Sequence, residues 1–350
     1  MLKGSLGGFH DPVTQVPKRL VDQEPFSQVG GRIAVLVPCR NEETAIAGVV
    51  HDFRRHLPSA TVYVYDNAST DETAQVARDA GAQVYAEPLR GKGNVVRRMF
   101  ADIDADIYVI VDGDGTYDAS SAPRLIKYLM TERLDMVNCA RVSSETGAYR
   151  PGHRLGNRLL TGLVARVFGN RLSDVLSGYR VMSRRFVKSF PALSTGFEIE
   201  TELTVHALEL RAPIGELTAP YISRPRGSSS KLHTMRDGLR ILRLIIHLIK
   251  EERPLQFFMT GFAVLATFSL ALGIPVVTQF LATGLVGRLP TAVLATGLMI
   301  VAFLSLVCGL ILDTVTRGRR ELKRLLYLAA GREDKTLLRA GASRARRQTS

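Results

Sequence analysis

The chain contains no tryptophan and only three cysteines, Cys39, Cys139 and Cys308, among its 350 residues. The first absence excludes any recognition motif that ends in an indole. The second excludes a disulfide framework or a zinc cluster, because three thiols so far apart in sequence neither pair off nor share a metal. A reducing compartment is therefore expected for the soluble part. Residues 1–31 lack an apolar core and carry Pro12, Pro17 and Pro25, so they read as a flexible arm with no signal peptide. Charge is missing elsewhere. Phe257 to Leu281 and Thr291 to Leu312 hold no charged residue, and each exceeds the roughly 20 residues that a helix needs to cross about 30 Å of hydrocarbon.

What is present begins with positive charge, +13 over the whole chain. Its location argues against nucleic acid as a partner. From Asp313 to Ser350 there are eleven Lys or Arg against four Asp or Glu, so this segment alone carries +7. It directly follows an apolar stretch, where basic residues favour anionic lipid by about 1 kcal/mol each. A solvated tail obeying the positive-inside rule reads equally well. Lys250 and Arg253 precede the first apolar stretch, five basic residues from Arg317 to Arg324 follow the second, and the link between holds only Arg288. That asymmetry predicts a membrane hairpin over 255–312, with both termini and the rest of the chain on the cytoplasmic side and a basic cytoplasmic tail over 313–350. Residues 233–254 place Leu239, Leu242, Ile246 and Ile249 at helical spacing among basic residues, as in an amphipathic helix lying on the bilayer.

Between arm and membrane segments, apolar strands and amphipathic helices alternate from Ile33 to Val111, which predicts βαβ units, a mostly parallel Rossmann-like sheet and helices on both faces. The run Ile107 to Val111 is apolar throughout, as expected for a strand covered on both sides. It delivers Asp112-Gly113-Asp114 at its carboxyl end, where such sheets bind ligands. Two carboxylates at i and i+2 suit Mg²⁺ or Mn²⁺, which takes few protein carboxylates and shares its other positions with phosphate and water. An Asp-Gly turn closing the strand is the competing reading of these residues alone. A calcium loop fits less well: Asp112, Asp114 and Asp118 imitate its start, but its twelfth position is Pro123 rather than Glu.

Strand one ends in Pro38-Cys-Arg40-Asn41-Glu42 and strand two in Asp66-Asn67-Ala-Ser69-Thr-Asp71. In a doubly wound sheet both ends line one crevice. Asp66 could accept from the N–H of a uracil or guanine and Glu42 from a ribose hydroxyl, while Asn41-Glu42 and the run from Ser69 to Glu72 also fit helix caps. Taken together, "VPCRNE", "DNASTDET", "RGKGNVVRR", "DGDGTYD" and "SDVLSGYR" resemble family 2 glycosyltransferases of the nucleotide-sugar-binding GT-A fold. Gly196-Phe-Glu198-Ile-Glu200-Thr-Glu202 and Arg224-Pro-Arg226-Gly-Ser-Ser-Ser230-Lys231, followed by an interfacial helix and two spans, look most like polyprenyl-phosphate sugar synthases of the dolichol-phosphate mannose synthase kind. The resemblance covers about residues 32–252, with the GT-A domain over 32–232.

The resemblance implies an inverting transfer from a GDP- or UDP-sugar to a membrane polyprenyl phosphate. It implies that Pro38, Glu42, Asp66 and Asp112 hold the nucleotide, with the metal on Asp112 and Asp114; Arg40, Asn41, Asn67, Gly113 and Asp114 beside them complete the expected nucleotide-sugar site, and Lys92, between two glycines, either reaches the diphosphate or starts a helix. Thr116 departs from the pattern, since mannose synthases have Gln there. Basic residues with nearby Gly and Ser suit a lipid phosphate, which makes Arg141, Arg154, Arg224, Arg226, Ser230 and Lys231 its candidate cradle. Of the three glutamates after Gly196, Glu202 is the expected active-site or structural carboxylate, so the catalytic set is Asp112, Asp114, Arg141 and Glu202. Processive polysaccharide synthases share the donor fold but carry a Gln-x-x-Arg-Trp motif, which the lack of tryptophan excludes. A membrane glycosyltransferase with a non-phosphate lipid or saccharide acceptor is the remaining alternative. The membrane helices also offer a surface for a homo-oligomer.

Overall fold

The computed structural model describes residues 31–142, 161–162, 172–196, 198–222, 250 and 253–348, with side chains through Gly331. The chain divides into two compact units, Met1–Gly238 with Lys323–Ser350, and Leu239–Leu322.

The first unit is built on the expected alternation. It runs β1 (Ile33–Cys39), α1 (Ile46–His56), β2 (Thr61–Asp66), α2 (Thr73–Asp79), β3 (Gln83–Ala86), α3 (Lys92–Asp102) and β4 (Ile107–Ile110), then α4 (Ala122–Thr131), β5 (Met136–Val142), β6 (Arg180–Ser183), α5 (Arg184–Ser189), α6 (Ile199–Leu210) and β7 (Ile214–Pro220). Among the described residues these strands form one seven-stranded sheet, in the order β3-β2-β1-β4-β6-β5-β7. β1 pairs in parallel with β2 and β4, and β5 with β7. β6 is antiparallel to both β4 and β5, the one departure from a parallel sheet.

Burial explains the local choices. Every residue of β1 and β4 is buried, because helices cover both faces and an uninterrupted apolar run is then favoured over alternation. Ile46, Val49, Val50 and Phe53 recur at helical spacing on α1 and form its buried stripe. Asp118 caps the short turn ahead of α4 by accepting from Ser120 N, and Ser183 caps α5 by accepting from Phe186 N.

The second unit contains α7 (Pro254–Thr283) and the start of α8 (Leu289–Gln348). Both helices are long and apolar enough to cross a membrane, with mean hydropathy of 2.0 and 2.5 in their most apolar windows. Gly284 ends α7 in the left-handed region at φ 69°. Small and hydroxyl residues bring the pair together, as is usual where apolar burial supplies no drive: Ser269 Oγ donates to Ala295 O at 2.7 Å and Ser305 Oγ to Phe258 O at 3.1 Å. The expected spans lie inside these helices.

The expected basic tail over 313–350 is helical as far as Gln348. α8 continues without a break, and from Lys323 it belongs to the unit that holds the sheet. The reason is a set of buried acids: Lys323 Nζ meets Glu209 at 2.6 Å and the Tyr327 hydroxyl donates to Asp135. The arm and most of the expected amphipathic helix at 233–254 lie outside the described residues.

Candidate active site

Parallel pairing carries three strand ends to one edge. Cys39 stands opposite Asp66, and the Val111 N–H reaches Leu36 O at 3.1 Å, so the chain leaving β4 passes beside Pro38 at the mouth of the sheet. Asp112 and Asp114 therefore arrive at the crevice bordered by Glu42 and Asp66. Gly115, at φ 72°, takes the left-handed turn that follows them.

Asp114 is 4% exposed, and its Oδ1 accepts from Thr116 Oγ1 at 2.7 Å and from Thr116 N at 3.2 Å. Thr116 thus orients Asp114. Asp112 accepts from the Lys92 ammonium, which also contacts Glu200. Burial works against the charge on Lys92, but the two carboxylates outweigh it and raise its pKa. Burial raises Glu200, with Lys92 opposing, as follows when one cation serves two anions. Gly178 closes the other side of Asp112, since a Cβ there would stand 2.4 Å from Oδ2. Its N–H donates to the Tyr117 hydroxyl at 2.8 Å.

Asp66 Oδ2 accepts from Ser69 N at 3.2 Å, whereas its Oδ1 is buried and accepts no hydrogen bond. A buried carboxylate oxygen with no donor is costly unless a ligand supplies one. Its place at the end of β2 suits the N–H of a base. Pro38 is buried in β1, and the Glu42 N–H donates to Thr73 Oγ1 at 2.8 Å, which fixes its backbone beside Asp66.

Three expected site residues have other work. Asn67 donates to Glu87 O and Leu89 O and accepts from Gly91 N, so its amide is fully committed to the loop before α3. Asn41, at φ 52°, accepts from Thr70 N through its side chain and ties the two strand-end loops together. These short polar side chains bond neighbouring backbone, their usual role in loops. Glu202 accepts from the N–H groups of Leu193 and Ser194, both at 2.8 Å, and holds that loop. Successive helical residues rotate by about 100°, so Glu200, two positions earlier on α6, faces Lys92 and the crevice instead.

Arg141 forms a two-pronged pair with Asp174 at 2.6 and 2.8 Å, and its guanidinium lies 5.5 Å from the Tyr221 ring centre. Arg180, fully buried, donates to Val175 O, Ser177 O and Thr204 Oγ1, and burial pushes its pKa down to about 10. It fastens the segment around Gly178 to α6. Arg154, Arg224, Arg226, Ser230 and Lys231 lie outside the described residues.

Sequence reading passed over Glu200, Asp174 and Gly178. All three belong to the "GFEIETEL" and "SDVLSGYR" segments, which are the signal that marks them. Asp112 and Asp114 are hard oxygen donors, and Lys92 shows that a cation is already favoured there, so the residues fit a divalent ion. Among the described residues no third His, Cys, Asp or Glu completes a metal-holding group.

The profile of glycosyl transferase family 2 matches residues 34–190, the stretch from β1 to α5 that carries Asp66, Lys92, Asp112 and Asp114. The chain belongs to this family. It is 60% identical to protein RfbJ of Shigella flexneri over 123 residues, 35% of this chain and 95% of that protein. It is 37% identical to glycosyltransferase AglJ of Haloferax volcanii over 238 residues, 67% of this chain and 78% of that one. A dolichyl-phosphate hexose transferase of the same archaeon is 27% identical over 222 residues, 63% of this chain and 95% of its own. Among solved structures, glucosyl-3-phosphoglycerate synthase from Mycobacterium tuberculosis with Mn²⁺, uridine diphosphate and glucosyl-3-phosphoglycerate superposes with a TM-score of 0.52 at 25% identity. That match covers 63% of this chain and 80% of the synthase. The family 2 enzyme thus has a GT-A-like fold followed by two helices that could span a membrane.

Proposed function

We propose that this glycosyltransferase is an inverting enzyme that moves a sugar from a GDP- or UDP-sugar to a membrane polyprenyl phosphate, forming a polyprenyl-phosphate monosaccharide for cell-envelope glycan. The observation that carries the donor half is the edge of the sheet: Asp112 and Asp114 follow β4, and at the end of β2, two strands along, Asp66 keeps a buried oxygen that lacks a donor. The acceptor half draws on the relative named dolichyl-phosphate hexose transferase and on two helices of membrane-spanning length.

In this reading Asp66 accepts from the base and Glu42 from the ribose. Lys92 meets the diphosphate. Asp112 and Asp114 would hold Mg²⁺ or Mn²⁺, which acts as a Lewis acid and offsets charge on the diphosphate leaving group. An acceptor phosphate oxygen attacks the anomeric carbon, the bond from that carbon to the diphosphate oxygen breaks, and the nucleoside diphosphate departs with the electron pair. The second pKa of a phosphate monoester is about 6, so the acceptor is already ionised near neutral pH and no general base is required. Positioning two anions against each other is the harder task, and it calls for fixed cations. Arg141, with Arg154, Arg224, Arg226, Ser230 and Lys231, is the proposed cradle. The charge asymmetry around the apolar stretches supports a cytoplasmic position for this site, at the inner membrane.

Membranes containing the protein, supplied with polyprenyl phosphate and labelled GDP- or UDP-sugars, should yield a chloroform-extractable sugar lipid that disappears with EDTA. No such product from any common hexose or uronic acid donor would refute the proposal.

A further inference from the structure

Lys92 opens α3 and Glu200 sits in the first turn of α6, 108 residues later. Their backbones are locked to one another through the loop between. Cβ atoms at Gly91 and Gly93 would each stand 2.1 Å from the carbonyl oxygens of Thr195 and Ser194, so neither position admits a side chain. Gly93 N donates to Thr195 O at 3.2 Å, and Glu202 grips the N–H groups of residues 193 and 194. Glu200 is 6% exposed, and its Oε2 is buried without a hydrogen-bond partner. The Lys92–Glu200 pair is therefore fixed by its supporting loop, and its second contact, with Asp112, is the one that joins it to the donor crevice.

An ammonium and a divalent cation cannot share the Asp112 carboxylate without repelling each other. Without a donor the protein offers a metal two carboxylates, one already countered by Lys92. A diphosphate changes both terms: it supplies oxygen ligands, and it is an anion that can take the ammonium. We propose that Lys92, held in place by Glu200, competes with the divalent cation for Asp112, so that tight metal binding requires a nucleoside diphosphate to draw Lys92 away. Glu200 is a positioning residue in this scheme, and the coupling is reciprocal between metal and nucleotide. The inference rests on the metal-diphosphate reading of the donor site given above.

Mn²⁺ binding to the full-length protein in detergent, followed by the electron paramagnetic resonance signal of the free ion, tests it with GDP and UDP as the probes. For the unaltered protein, the better-accepted nucleotide should tighten Mn²⁺ binding at least tenfold. Lys92→Met should tighten Mn²⁺ binding without nucleotide by about tenfold and shrink the gain from nucleotide to less than threefold. Both changes together identify a competitor. A bystander charge would raise affinity equally in both conditions, and a residue serving only the diphosphate would lower the gain without altering nucleotide-free binding; either result overturns the inference. If Lys92→Met leaves Glu200 too poorly compensated to fold, the double variant Lys92→Met with Glu200→Gln removes both charges and carries the same expectation. Absence of Mn²⁺ binding in the unaltered protein with either nucleotide overturns the metal site as well. Intact Mn²⁺ coupling without sugar transfer in the membrane assay overturns the acceptor assignment and leaves this inference standing.

Discussion

Asp135 and Glu200 are both buried carboxylates facing a basic side chain, and they differ in what is left over. Asp135, fully buried, accepts through Oδ1 from Ser183 Oγ and Arg185 Nε, and through Oδ2 from Arg185 Nη2 and the Tyr327 hydroxyl. Both of its oxygens are committed. Glu200 shares one ammonium with Asp112 and keeps an oxygen without a partner. The closed cluster joins the start of β5, the start of α5 and the far part of α8, so its chemistry ends in the fold. The open one lies at the mouth of the sheet, and a buried polar group that the protein does not satisfy is stable there only if something else does. Asp66 Oδ1 follows the same rule.

The largest effects should separate these two regions. Asp114→Asn should lower transfer by about 10²–10³-fold, the scale expected when a preorganised charge-stabilising group is lost, while leaving the melting temperature nearly unchanged. Asp135→Asn should do the reverse. Removing one partner of a buried ion pair costs about 3–5 kcal/mol, and because the Arg185 side chain is 37% exposed, solvent reduces this to about 2–3 kcal/mol. Thermal melts in detergent and initial rates per folded molecule would measure both. A stability loss for Asp114→Asn, or a rate loss for properly folded Asp135→Asn, would erase the distinction between an open and a closed cluster.

How much of this was legible beforehand depended on sequence distance. The four strands through β4 were readable because each is a local apolar run, and Asp112-Gly-Asp114 because it ends one of them. The same holds for the two long uncharged stretches. β6 was not readable: four residues give too little pattern, and its antiparallel placement is set by β4 and β5 on either side. Lys92 was identified as a site residue, yet its partner Glu200 lies 108 residues away, and choosing Glu200 over Glu202 required knowing which side of α6 faces the crevice. Asn41 and Asn67 stand in the right loops for a ligand, but their amides bond nearby backbone. The basic segment after the second apolar stretch read as a lipid-facing or solvated tail, because Glu209 and Asp135, which receive Lys323 and Tyr327, are more than a hundred residues upstream.

A comparable effect should appear with pH on the closed side. His206, 1% exposed on α6, contacts Ser189 Oγ at 3.3 Å through Nε2. Burial, with help from Lys323 and against Glu209, lowers its pKa from 6.5 to about 4. Above pH 6.5 neither the folded nor the unfolded imidazole is protonated and the residue is neutral toward stability. As pH falls below 6.5 the unfolded chain takes up a proton that the folded one refuses, so stability declines until about pH 4. At pH 5 the loss is about 2 kcal/mol, by the 1.36 kcal/mol per pH unit of linkage. His206→Asn should flatten this part of the stability profile. An unchanged slope in the variant would mean that other groups carry the acid sensitivity.

The smallest expected effect tests whether α8 truly completes the closed cluster. Tyr327 donates its hydroxyl to Asp135 while its ring lies 5.2 Å from the Arg185 guanidinium, and burial, with Asp135, raises the phenol pKa. Tyr327→Phe keeps the ring and the cation–π contact but removes the donor. A hydrogen bond to a charged acceptor contributes about 1.5–3 kcal/mol. Arg185 and Ser183 remain to satisfy Asp135, which brings the expected loss to about 1 kcal/mol. Combined with Asp135→Asn, Tyr327→Phe should add less than it costs alone, since the two share one interaction. Full additivity in the double-mutant cycle would show that Tyr327 stabilises through its ring alone, and the hydroxyl would then have no part in closing the cluster.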